Sequence, residues 1–92
     1  MHLIGRHRLS PLNSKGEAVA TWLTGWIAEL RDAHWKHGTD VTKQFPRARL
    51  GNDGFFLFPV AQLPVSIQMA IFFQREIALI KQVTRGETDN GR

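Results

Sequence analysis

Residues 16–37, GEAVATWLTGWIAELRDAHWKH, hold the pattern on which the fold turns. Val19, Trp22, Leu23, Trp26, Ile27, Leu30 and Ala33 recur at the three- and four-residue steps of an α-helix and lay one apolar stripe along it. Thr21, Thr24, Glu29, Arg31 and Asp32 lie off the centre of that stripe, as a solvated face requires. Asn13 or Ser14 can cap the start, and Glu17 brings negative charge to the positive end of the helix dipole. Lys36 and His37 complement the other end, where Gly38 can supply a left-handed cap. The spacing predicts a helix from about Gly16 to His37. Gly25 inside it costs about 1 kcal/mol relative to alanine and suits a close helix contact. Trp35, nine residues beyond Trp26, falls on the opposite side and is expected at an edge, outside the main core.

After this helix, Thr39 or Asp40 can cap a short turn through Val41 to Gln44, which Pro46 ends. Gly51-Asn52-Asp53-Gly54 is a strong turn signal. Phe55–Val60, Val65–Phe73 and Ile77–Thr84 are rich in β-branched and aromatic residues and read as strands, with Pro59 marking an edge or a bulge. The short polar link Gln74-Arg75-Glu76 makes the last two antiparallel neighbours. Before the helix, Leu3 and Ile4 can begin a strand, and Ser10-Pro11 can open a short helix. The fold class is therefore α+β: one long and one short N-terminal helix packed on a twisted antiparallel β-sheet of three to four strands. At 92 residues this is a single domain, 1–92, with a tail from about residue 86 expected to fray.

Composition removes several classes of function. No cysteine is present, which excludes thiol catalysis, disulfides and thiolate zinc sites. No 18-residue apolar run spans a membrane, and no apolar signal segment opens the chain, so a cytoplasmic location is expected. His34 and His37 share a helix face without a recognisable third ligand, and charge at a helix end explains them; no metal and no cofactor are expected. Neither a Gly-rich phosphate loop nor a serine nucleophile signature occurs. Twelve Lys and Arg against eight Asp and Glu give a net charge of +4, which suits polyanions. The bases cluster at Arg6 and Arg8, from Lys36 to Arg49, and at Lys81 with Arg85. Two readings fit them: one concave surface for a phosphate backbone, or a solvated charged rim.

Trp22-x3-Trp26-x2-Glu29-x3-Ala33-x-Trp35-Lys36, then Asp40-Val41 and Phe45-Pro46-x-Ala48, resemble the HigB family of type II toxins, which are RelE/ParE-like proteins. So do Phe56-Leu57-Phe58-x-Val60, the ending Ile80-Lys81-Gln82-Val83-Thr84, and the opening Met1-His2-Leu3-Ile4. The similarity runs through nearly the whole chain in order. It implies a RelE/ParE-like fold with an RNA-binding cleft on the sheet side. It also implies a metal-independent endoribonuclease, an mRNA interferase acting on translated mRNA. The expected partners are mRNA, on the ribosome, and a HigA-type helix-turn-helix antitoxin, with DNA reached only through that antitoxin.

Cleavage of this kind uses the RNA 2′-hydroxyl as nucleophile, so it needs a base, a proton donor and cations for the phosphorane. Here the sequence departs from the family. Where the family carries a Thr-His-x-x-Tyr-Asp segment, this chain has Thr84-Arg85-Gly86-Glu87-Thr88-Asp89, which lacks the histidine and the tyrosine. Ala61 to Ser66 stand where a Gly-Gly-Asn motif and a Tyr-Arg pair are expected. The resemblance then assigns the chemical site to Lys81, as donor or charge stabiliser, Arg85, as phosphate clamp, and Asp89, as an orienting group. Lys43, Arg47 and Arg49 would hold the RNA backbone. Two alternatives stay open: a catalytically silent relative kept as an antitoxin-binding partner, and a small basic RNA-binding module unrelated to toxins.

Overall fold

The apolar stripe is helical from Glu17 to Asp32 (α1) and buries Val19, Trp26 and Leu30. The computed structural model, which describes residues 1–85, ends this helix five residues before His37. Three features explain the early stop. Ala33 is extended (φ −72°, ψ 145°). The α-ammonium of Met1 donates to the carbonyls of Arg31 (3.2 Å) and Ala33 (2.8 Å), so the charge that complements the helix end is Met1 and not Lys36 or His37. The Asp40 carboxylate accepts from the backbone N–H of Lys36 (2.8 Å) and of His37 (3.1 Å), drawing these residues into the start of the next helix, Gly38–Gln44 (α2). Those two N–H donors, that of Lys36 foremost, favour the charged carboxylate and hold Asp40 below its ordinary pKa near 3.8.

Because α1 stops at Asp32, the nine-residue reckoning for Trp35 fails. Trp35 is buried, meets Phe45 edge-to-face at 6.0 Å, and donates its Nε1–H to Gln44 Oε1 at 2.9 Å. Neither Asn13 nor Ser14 caps α1; Gly16 holds the N-cap position at φ 103°.

The sheet has five strands: β1 (His2–Ile4), β2 (Arg49–Leu50), β3 (Phe56–Pro59), β4 (Val65–Phe72) and β5 (Ile77–Arg85). Their order is β1-β5-β4-β3-β2. The expectation of three to four antiparallel strands is corrected in two ways. Leu3 and Ile4 do form a strand, but it lies parallel to β5, with His2 opposite Ile77 and Ile4 opposite Leu79. Arg49 and Leu50 add a two-residue edge strand to the β3 side. The three strands read from composition are the antiparallel centre, and 3-10 turns at Arg6–Leu12 and Phe73–Arg75 complete the chain order.

Strand alternation assigns the two faces. Phe56, Met69 and Ile80 stand in one register row, and Phe58, Ile67 and Val83 in the next. All but Val83 are buried in the core beneath α1 and α2, and Val83 packs at its margin. The opposite face carries Arg49, Leu57, Gln68 and Gln82 in one row and Pro59, Ser66 and Thr84 in another. Between Ile80 and Gln82 the register slips, leaving Lys81 as a bulge residue without a strand partner.

Gly5 makes the turn out of β1 at φ +92°, and a Cβ there would come 2.7 Å from the Ile80 carbonyl oxygen. Gly5→Ala is expected to cost about 1–3 kcal/mol through left-handed strain alone, with the backbone clash added. Urea unfolding measures it, and a midpoint equal to the parent's would show that this turn is not held by β5.

Candidate nucleic-acid interface

The connection from β3 to β4 is a tight turn that sets the geometry of the basic residues. The Val60 N–H donates to the Val65 carbonyl (3.1 Å), that of Leu63 to the Val60 carbonyl (2.9 Å), and Ala61 takes a positive φ of 49°. The Arg47 guanidinium donates through Nη1 to the Ala61 carbonyl at 3.0 Å, which fastens the arginine to the turn. Arg49, in edge strand β2, projects on the open face in register with Leu57. Arg47 and Arg49 thus share a cleft of about 340 Å³ with Pro59, Pro64, Val65 and Ser66. Val65 pairs with Arg85, which brings the end of β5 to the same end of the sheet.

Lys81 stands apart from that cleft. Its ammonium lies 5.1 Å from the centre of the Phe55 ring, a cation–π contact, and its carbonyl accepts from Arg8 Nη1 at 3.2 Å. Beside it an amide ladder crosses the open face. Gln82 Nε2 donates to Gln68 Oε1 (2.8 Å), and Gln68 Nε2 donates to Asp53 Oδ2 (3.3 Å). Ionised Asp53 can only accept, so it fixes the direction of both amides along the ladder. Lys43 is exposed on α2 and lines neither this cleft nor the one described next. Asp89 lies outside the described residues.

A second cleft, of about 400 Å³, opens between α1 and the α2–β2 connection. Trp22, Trp26, Phe45, Pro46, Phe58 and Pro59 form its apolar walls, and Thr21, Glu29, Gln44 and Arg47 its polar rim. The Trp22 and Trp26 rings stack at 5.8 Å with an interplanar angle of 14°, and Trp26 meets Phe58 edge-to-face at 5.5 Å. The buried indole N–H of Trp26 has no hydrogen-bond partner. Gln44 Nε2 donates to Glu29 Oε1 at 3.3 Å across the rim. The sequence hides this cleft, because Trp22 and Trp26 sit on the helix stripe and read simply as core. The one signal in the sequence is Gly25. No atom comes within 4 Å of a Cβ built there, so it serves no close helix contact and instead leaves the cleft wall open.

No protein-family model matches this chain, and no curated protein matches it. The site therefore stands on its own chemistry. Two guanidiniums beside a concave turn, that of Arg47 held by the Ala61 carbonyl, suit phosphate oxygens, which arginine engages in paired, charge-assisted hydrogen bonds. Arginine also stabilises a phosphorane, but being always protonated it takes no proton from a hydroxyl. The described lining of the basic cleft holds no imidazole and no carboxylate. Among the described residues no group of three metal-ligating side chains forms, and no helix is long and apolar enough to cross a membrane.

Proposed function

We propose that this chain is a HigB-like toxin of a RelE/ParE-like fold, an endoribonuclease that grips translated mRNA in the basic cleft at the β3–β4 turn. The observation that carries the reading is the convergence of Arg47 and Arg49 on that cleft. A mixed five-stranded sheet under two helices is compatible with the fold that the sequence resemblance implies. In the reaction the RNA 2′-hydroxyl oxygen attacks the adjacent phosphorus while its proton passes to water, the P–O5′ bond breaks, the departing 5′-oxygen takes a proton from water, and a 2′,3′-cyclic phosphate and a 5′-hydroxyl are left. Arg47 and Arg49 neutralise the extra negative charge of the phosphorane. Lys81, held over the Phe55 ring away from the cleft, takes no part in this step. A HigA-type helix-turn-helix antitoxin is the proposed neutralising partner, and the cytoplasm the proposed compartment.

One observation favours a second reading. The described cleft lacks a side chain able to accept the 2′-hydroxyl proton, as a catalytically silent homologue retained for antitoxin binding would. Induced expression without antitoxin separates the two. The nuclease reading expects growth arrest and transcripts cut to 5′-hydroxyl ends. Normal growth with intact transcripts, alongside co-purification with the product of the adjacent gene, would leave only the silent homologue.

A further inference from the structure

The two clefts adjoin: Arg47 and Pro59 line both, so the basic cleft on the open face of the sheet and the aromatic cleft against α1 lie on either side of these two residues. We propose that the aromatic cleft is a base-holding subsite. It receives one unstacked nucleobase of a single strand whose phosphates lie at Arg47 and Arg49. This inference rests on the RNA-binding reading and adds to it a place for a base.

Three features point to a flat heterocycle. Trp22 is half-buried and stacked on Trp26, so it offers an aromatic platform of the kind on which single-stranded bases stack without regard to sequence. Gly25, in the middle of α1, carries the propensity cost of a helical glycine yet has no packing neighbour that requires one. Any larger side chain at that position would stand at the cleft mouth. The rim supplies polar groups of both kinds, the Glu29 carboxylate and the Gln44 amide. A base combines ring faces with donors and acceptors at its edge, and its sugar-phosphate leads back past Arg47.

The test is a titration of 15N-labelled protein with a mixed-sequence RNA hexanucleotide, followed by the indole N–H resonances and by calorimetry. It is repeated with the Gly25→Leu variant and with nucleoside 5′-monophosphates. The proposal expects the Trp22 and Trp26 resonances to move with RNA. Gly25→Leu should weaken binding about 5- to 100-fold while the salt dependence of binding stays the same. Leucine is the better helix former, so this variant should melt no lower than the parent, and misfolding cannot imitate the result. RNA binding with unmoved indoles and an unaffected Gly25→Leu variant overturns the subsite and leaves the basic cleft standing. Monophosphates that bind as tightly as RNA and move the same indoles overturn the strand reading in favour of a free nucleotide. Absence of any RNA binding overturns both.

Discussion

Phe58→Ala is expected to cost about 3–5 kcal/mol and to lower the melting temperature by roughly 15 °C or more. Phe58 is 1% exposed and joins the two layers of the fold. Its ring meets Trp26 of α1 at 5.5 Å, Phe45 beyond α2 at 5.4 Å, and Phe56 of its own strand at 6.4 Å. Removing it opens a cavity under both helices, bordered by the Trp26 and Phe45 rings that it met. Against a total stability of about 5–15 kcal/mol, the loss leaves a marginal protein. Phe72 is the internal control, because it is 48% exposed and its alanine variant should stay within about 0.5 kcal/mol. Thermal melts of both variants decide the matter. A Phe58→Ala protein melting within a few degrees of the parent would mean that the aromatic cluster does not hold the layers together.

The second large effect concerns the proposed ligand. Arg47→Glu with Arg49→Glu is expected to weaken single-stranded RNA binding by at least about 100-fold, since two charge-assisted hydrogen bonds at about 1.5–3 kcal/mol each are replaced by repulsion. The slope of log K against log salt should fall by about 2, one for each phosphate no longer neutralised. Arg47 also holds the Ala61 carbonyl, so the melting temperature of each single variant must accompany the affinities. Arg49→Glu, at an exposed edge position, should leave that temperature nearly unchanged. Undiminished RNA affinity in the double variant would remove the basic cleft from the proposed function.

The residues that announced themselves are those whose environment is local. Val19 to Leu30 recur with helical period and are helical; Val65 to Phe72 alternate with strand period and form β4. What stayed hidden depends on residues far apart in the chain. The end of α1 is decided by Met1, thirty-two residues before Ala33, and no periodicity carries that contact. β1 is three residues long and its partner strand begins at Ile77, so neither its pairing nor its parallel direction leaves a mark in the sequence. The site divides in the same way. Arg47, just before β2, and Arg49, at its start, meet in one cleft, whereas Lys43 lies only four residues before Arg47 but is carried away on α2. The link between the basic and aromatic clefts was illegible for another reason. It depends on the placing of the Arg47 side chain, which follows from the β3–β4 turn and the Ala61 carbonyl it presents.

The parallel pairing of β1 with β5 bears on how this chain is made. His2, Leu3 and Ile4 are synthesised well before the strand that completes their ladder, which begins at Ile77. Until then Gly5 and the turn after it have no Ile80 to lie against, and the apolar edge of β5 does not exist. Local elements such as α1 can form early, but the sheet closes only once both β1 and β5 are present, a slow, long-range step of the kind that governs folding rates. A chain interrupted before its last strand is therefore a chain without a finished sheet.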